Sequence, residues 1–199
     1  MTPQQVADRL NVSRETLQKL SSYVALLEKW QPRINLVSAA TLPDIWQRHI
    51  LDSGQLAAHM PVHTQKILDI GSGAGFPGLV LSIIGDWHVQ LVESDQRKAV
   101  FLQTVIRELG LTAKVSNCRI EAVPPAYPDV ITARALAAMP KLMHLITPQL
   151  HSRLTCLFLK GGSVEEELTS FHSYSTMTPQ LYPSLSCDDG VIVKLTMPL

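Results

Sequence analysis

The residues of this chain best suited to chemistry gather around one stretch, KILDIGSGAGFPGLVL, residues 66–81. Asp69 closes an apolar run, and Gly71, Gly73, Gly75 and Gly78 follow it in close order. Glycine loses more backbone freedom on folding than any other residue, so this density points to a need for positive φ angles or a bare backbone. Both GSGAGF and, one frame on, GAGFPG approximate the glycine fingerprint of a nucleotide-binding turn. Such a turn calls for an acid about 20 residues on, at the end of the next strand, to hold ribose hydroxyls. Glu93, in LVES, stands there. Two ligands fit the pattern. NAD would set its pyrophosphate on the N-terminus of the following helix. S-adenosylmethionine brings no phosphate but carries a sulfonium and an ammonium, and Asp69 suits that cationic end better than a diphosphate. The residues lean towards S-adenosylmethionine and leave a dinucleotide open.

These side chains need a scaffold, and the pattern around them supplies one. The first sixty or so residues read as helical, with Leu17, Leu20, Val24 and Leu27 at helical spacing and Ser13 as N-cap. QPRINLVS interrupts the pattern at Pro32, and TLPDIWQRHILDSGQLAAHM restarts it as far as Pro61, with Ile45, His49, Asp52 and Ser53 near one face. Short β-branched runs then alternate with helical segments. KILDI, HVQLVES, AKVSNC, PDVITARA, TCLFLK and GVIVKLTMPL read as strands. FPGLVLSII starts a helix, with Pro77 near its first turn. QRKAVFLQTVIRELG is an amphipathic helix with Leu102, Val105, Ile106 and Leu109 inward and Gly110 as its stop. The alternation implies an α/β fold, a mostly parallel sheet with helices on both faces. The expected organisation is a helical N-terminal extension over residues 1–62 and a ligand-binding domain over 63–199.

Bulk properties narrow the function. The chain has 199 residues, 46% of them hydrophobic and 17% charged, as in an ordinary globular protein. No run is long enough to span a bilayer and the N-terminus lacks a signal-peptide layout, so no membrane role and a cytoplasmic location are expected. Cys118, Cys156 and Cys187 form no CxxC pair, which argues against a metal site or a disulfide framework. Net charge is zero, which argues against gripping nucleic acid by bulk electrostatics. The charge is nonetheless uneven. Residues 96–160 hold nine Lys/Arg against three acids, and from Gly161 onward Lys194 faces five acids. That permits a local phosphate-binding face.

In order along the chain come NLVS at Asn35, RHILDS at Arg48–Ser53, DIGSGAGFPG, LVES…RKAVFL, CRIEAV at Cys118–Val123, TARALA at Thr132–Ala137 and LKGG at Leu159–Gly162. This series resembles the RsmG (GidB) family of ribosomal RNA methyltransferases, and Phe76-Pro77-Gly78 is its most family-specific part. The resemblance implies a Rossmann-like class I methyltransferase fold with a mostly parallel seven-stranded sheet. It also implies transfer of a methyl group from S-adenosyl-L-methionine, leaving S-adenosyl-L-homocysteine, to N7 of one guanine in 16S rRNA, the position usually called 527. The RNA would be met within the small ribosomal subunit or its assembly intermediate, by a monomer. Carried onto this chain, Gly71, Gly73 and Phe76 would line the cofactor cleft, Glu93 would hold the ribose, and Ile120 and Glu121 would flank the adenine. Arg134 would complete the pocket beside the target base. Two stretches depart from the family. Asp95-Gln96-Arg97-Lys98 replaces the usual glycine, lysine and arginine after the second-strand acid, and SCDDGVIVK carries two acids where members commonly have a basic residue.

A guanine N7 already presents a lone pair, so attack on a methyl sulfonium requires no general base. The protein must align the groups and exclude water. Because N7 has to stay free, Arg134 is expected to act on O6, a phosphate or the cofactor carboxylate. Asn35, Arg48, His49 and Lys160 are candidate RNA contacts. Each has a plainer reading: a turn residue for Asn35, a helix surface for Arg48 and His49, a solvent-facing lysine for Lys160, and a salt bridge to Asp129 or Glu121 for Arg134. Two rival functions remain at this level, an NAD-type dinucleotide-binding enzyme and a non-catalytic ribosome assembly factor on the same fold.

Overall fold

A computed structural model of the chain describes residues 1–162, 164–172 and 178–197. Two helices open it, α1 (Pro3–Leu10) and α2 (Arg14–Trp30). Ser13 caps α2 as its residue type suggests, its hydroxyl accepting from the Thr16 amide at 3.2 Å. The next helical run is not the single α-helix that its spacing suggests. It is π-helical over Trp46–Leu51, makes one α turn at Asp52–Gly54 (α3), and ends as a 3₁₀ helix over Gln55–His59. His49, Ile50 and Leu51, in the π turn, are all buried.

The alternating region forms β1 (Lys66–Ile70), α4 (Gly78–Ile84), β2 (His88–Val92), α5 (Gln96–Leu109), β3 (Lys114–Ser116), β4 (Val130–Arg134), α6 (Met139–Ile146), β5 (Thr155–Lys160), α7 (Val164–His172), β6 (Gln180–Pro183) and β7 (Val191–Thr196). The seven strands lie in the order β3-β2-β1-β4-β5-β7-β6. Strands β1 to β5 are parallel, and β7 runs antiparallel to both neighbours. This is the expected architecture. The strand pattern alone missed β6, an edge strand whose residues are mostly exposed, so it has no alternating apolar signal. The last strand was expected to run through Leu199; it ends at Thr196, and residues 198–199 lie outside the described residues.

Alternate residues of each strand feed the two faces. Ile67, Leu91, Val130, Leu157 and Ile192 point into one cluster with α2, α4, α5 and the π-helical run. Leu68, Ile70, Ile131, Phe158 and Val193 pack on the other face with α6 and α7. The first 62 residues thus share one continuous apolar cluster with the sheet, through Leu20, Tyr23, Val24 and Leu27 against Phe101 and Leu102. The carboxyl ends of β1, β2 and β4 come together at the glycine turn.

Candidate active site at the carboxyl ends of the strands

The turn between β1 and α4 is tied down from several directions. Gly71, Gly73 and Gly75 all take positive φ. A side chain on Gly71 would also meet Leu136 Cδ1 at 2.6 Å, so this position needs glycine for both conformation and space. Gly78 opens α4 so close to the sheet that an added Cβ would collide with Leu91 and lie 2.7 Å from Asp69 Oδ2. Below the turn, Tyr23 donates its hydroxyl to the Ala74 carbonyl at 2.6 Å, and its ring lies 5.4 Å from that of Phe76. An element from the N-terminal helices therefore fixes the floor of the glycine turn.

Glu93 follows β2 and binds the turn to it. Its Oε2 accepts from the Gly73 amide and its Oε1 from the Asp95 amide, each at 2.7 Å. Amide donors hold both carboxylate oxygens in place while leaving lone pairs for hydroxyl donors, which is what holding a ribose demands. Asp95, at the departure from the family pattern, caps α5 by accepting from the Arg97 amide at 2.8 Å and the Lys98 amide at 3.2 Å.

Asp69 is fully buried. Thr132 donates to its Oδ1 at 2.7 Å, while Oδ2 accepts no hydrogen bond of good geometry. Burial pushes the carboxyl up to about 6, and the Ser72 and Thr132 hydroxyls, the nearby Gly78 amide and the Arg134 charge only partly oppose this. Oδ2 faces Gly78 at the start of α4, so the carboxylate reaches a ligand above the turn only through its charge, which favours a cationic group over a diphosphate.

Two cavities open above the strand ends, with Leu136 lining both. One, of about 200 Å³, is bounded by Gly71, Val92, Ser94, Ile120 and Glu121; the other, of about 400 Å³, by Asp52, Arg134, Lys160 and Cys187. Ile120 is buried and Glu121 exposed at the wall of the first.

Arg134 is the best-held side chain of the site. One terminal nitrogen donates to the Arg48 carbonyl at 3.2 Å and lies 3.5 Å from Asp52 Oδ2; the other meets His49 Nδ1 at 2.7 Å. Its guanidinium stands 4.9 Å above the centre of the Phe76 ring, on which His49 also stacks at 4.8 Å. The ion-pair partner is Asp52, not Asp129 or Glu121. Asp129 sits at the far end of the sheet, where it accepts from the Gln65 and Lys66 amides. Because arginine only donates, His49 Nδ1 accepts, so Nε2 carries the proton directed at Thr41 Oγ1, 2.9 Å away. Burial first, then the Arg134 and Arg48 charges, push this imidazole down to about 3. Asp52 Oδ1 in turn accepts from Ser186 at 2.6 Å and from Gln55 at 3.0 Å, which fastens the β6–β7 turn to the same corner.

RHILDS, FPG and TARALA, separate in sequence, thus meet around one guanidinium. Asn35 is not part of this corner. It is exposed, and its side-chain oxygen accepts from Gln31 at 3.4 Å. Lys160 is near the corner but faces inward, 2.7 Å from Glu167 Oε2, with 8% of its side chain exposed. Tyr23 and Leu136 entered the site unannounced by the sequence pattern. A tyrosine on the apolar stripe of an amphipathic helix reads as packing, and only the structure directs its hydroxyl to a carbonyl 51 positions away.

The model of one protein family, rRNA small subunit methyltransferase G (GidB), matches residues 16–187. The chain is similar to proteins named ribosomal RNA small subunit methyltransferase G. It is 46% identical to that of Cereibacter sphaeroides over 98% of this chain and 97% of the relative, and 47% identical to that of Paramagnetospirillum magneticum over 98% and 95%. Among solved structures, a SAM-dependent methyltransferase of Aquifex aeolicus superposes with TM-score 0.60 at 14% identity, over 77% of this chain and 92% of that one. A putative S-adenosyl-L-methionine-dependent methyltransferase of Methanococcus maripaludis does so with TM-score 0.64 at 11% identity, over 88% and 92%. Those two likenesses speak for the class I methyltransferase fold, and the family match with the near-full-length relatives carries the rest: the chain belongs to the rRNA small subunit methyltransferase G (GidB) family.

Proposed function

We propose that this protein transfers the methyl group of S-adenosyl-L-methionine to N7 of a guanine in small-subunit 16S rRNA. The observation that carries the reading is the Arg134 corner. Among the described residues there, the imidazole of His49 has both nitrogens engaged, one accepting from Arg134 and the other facing Thr41, and Asp52 is held by the guanidinium. A hydroxyl or an exocyclic amine would need a proton removed during attack. A guanine N7 would not.

When bound, the cofactor supplies an electrophilic methyl on a sulfonium. Glu93 would hold its ribose, Ile120 and Glu121 would bound the adenine, and Gly71 and Gly73 would shape the cleft, with the buried Phe76 supporting Arg134 from beneath. Asp69 supplies negative charge beneath the cationic end. Arg134 is pre-aimed by Asp52, His49 and Phe76, and a positioned guanidinium can hold O6 or a phosphate while leaving N7 bare. Orientation of this kind is worth roughly 7–11 kcal/mol in well-positioned reactions.

The test incubates the protein with methyl-labelled S-adenosylmethionine and small subunits from a strain lacking the gene, then maps the label by mass spectrometry. Label on guanine N7 is expected, and its absence overturns the reading. Arg134→Ala should lose at least about a hundredfold in turnover, the order expected when a positioning contact is removed. S-adenosylhomocysteine binding should change far less.

A further inference from the structure

Lys160 ends β5 beside the cavity that holds Arg134, where a lysine invites assignment as an RNA phosphate contact. The geometry gives it another task. Its ammonium donates to the Ala137 carbonyl and to Glu167 Oε2, the latter at 2.7 Å. The same Glu167 oxygen accepts from the Met139 amide at 2.8 Å. Met139 begins α6, whose N-cap residue is Ala138, with no side chain able to cap it. Glu167 on α7 takes over that capping, and its charge suits a helix N-terminus.

The two residues therefore grip the chain at 137 and 139, immediately after the segment that carries Arg134 and Leu136. That segment needs holding. Ala135 takes φ of +50°, a conformation that costs energy in any residue with a Cβ and persists only where its surroundings enforce it. Leu136 lies across Gly71 with 38% of its surface exposed. Upstream, Asp52 and His49 fix the Arg134 side chain; downstream, the half-buried Lys160–Glu167 pair holds the backbone. Such a pair gives little net stability once desolvation and side-chain ordering are counted, so its worth lies in the geometry it enforces.

We propose that the Lys160–Glu167 pair is a clamp that positions the Arg134–Leu136 loop for methyl transfer, which makes Lys160 a positioning residue and not a phosphate contact. The inference rests on the proposed function for its kinetic consequence and on geometry alone for its structural one.

Lys160→Met and Lys160→Arg test it on the full chain. For Lys160→Met, kcat on small subunits should fall about tenfold or more, as misplacement of a positioned group does. KM for subunits and its salt dependence should stay within about twofold of wild type. Lys160→Arg, which keeps a charged donor for Ala137 and Glu167, should recover part of kcat. Hydrogen exchange reads the clamp without turnover: in Lys160→Met the Leu136–Met139 amides should exchange faster while β1 and β2 stay protected. Should Lys160→Met fail to fold, Glu167→Gln, which keeps an acceptor for Met139 but removes the charge, serves for both readouts. An unchanged kcat with a raised subunit KM and a salt slope reduced by about one would assign Lys160 to a phosphate and overturn the clamp. Unaltered exchange at 136–139 would overturn it too. Wild-type protein that methylates no subunit would sink the proposed function and leave the exchange test standing.

Discussion

Two buried titratable groups, Asp69 and His49, carry opposite signs, and their pairing sets how the molecule answers acid. The Asp69 carboxyl rises from 3.8 to about 6 on folding, so the native chain holds a proton there that the unfolded chain has released. Its contribution is fully present below pH 3.8 and is lost as pH rises through about 6. His49 falls from 6.5 to about 3, so the unfolded chain holds the extra proton. Its contribution is full above pH 6.5 and is lost as pH falls towards 3. Between pH 4 and 6 the two slopes, each up to about 1.4 kcal/mol per pH unit, oppose one another. Relative to wild type, His49→Asn should make stability fall as pH rises across this window, and Asp69→Asn should make it rise. Urea titrations at pH 4, 5 and 6 decide this; parallel changes in both variants would refute the opposition. At this scale the sequence showed much. A glycine turn and strand ends single out Asp69 and Glu93 as candidates, and Arg134 stands out because TARALA resembles the family's segment. What Arg134 touches could not be read, since its partners Arg48, His49 and Asp52 lie more than eighty positions away and are brought to it by a π-helical run.

At the scale of elements, α2 and the π-helical run act as struts for the turn and the arginine, not merely as a cover for the sheet. Tyr23 shows it most directly, spanning from α2 to the Ala74 carbonyl with its ring beside Phe76 and Phe101. Tyr23→Phe keeps the ring and leaves a buried carbonyl unpaired, a loss of about 1–3 kcal/mol. The prediction is that melting temperature drops modestly while S-adenosylhomocysteine affinity falls several-fold, since the floor of the turn is freed. Calorimetry on both proteins measures the two effects, and unchanged affinity would show that the turn holds its shape without the strut. Period and capping made α2, α5 and the parallel strands legible, because each repeats its signal over several residues. The run from Trp46 to His59 was legible as helical but not as three kinds of helix. Its inward residues are set by Arg134 and Phe76, partners a local period cannot report.

For the whole molecule, the question is whether the helical N-terminus and the sheet form one cooperative unit and which ligand that unit recognises. The apolar cluster joining Leu20, Tyr23 and Leu27 to Leu79, Phe101 and Leu102 crosses residue 62 without a break. A chain of residues 63–199 would expose that surface to water at about 25 cal/mol for each Å² uncovered, more than a marginally stable domain can lose. It should therefore fail to fold cooperatively, whereas the full chain should melt in one transition. The same melting experiment separates the two cofactors the glycine turn left open. A ligand that binds only the native state at a hundred times its dissociation constant stabilises by about 2.7 kcal/mol. For a chain of this size that is a rise of roughly 5–10 °C. S-adenosylhomocysteine should produce such a rise and NAD none, because the negative charge of Asp69 beneath the turn disfavours a diphosphate. Asp69→Asn should shrink the S-adenosylhomocysteine shift, since it removes the negative charge beneath the cationic end. A shift with NAD alone would return the site to dinucleotide chemistry.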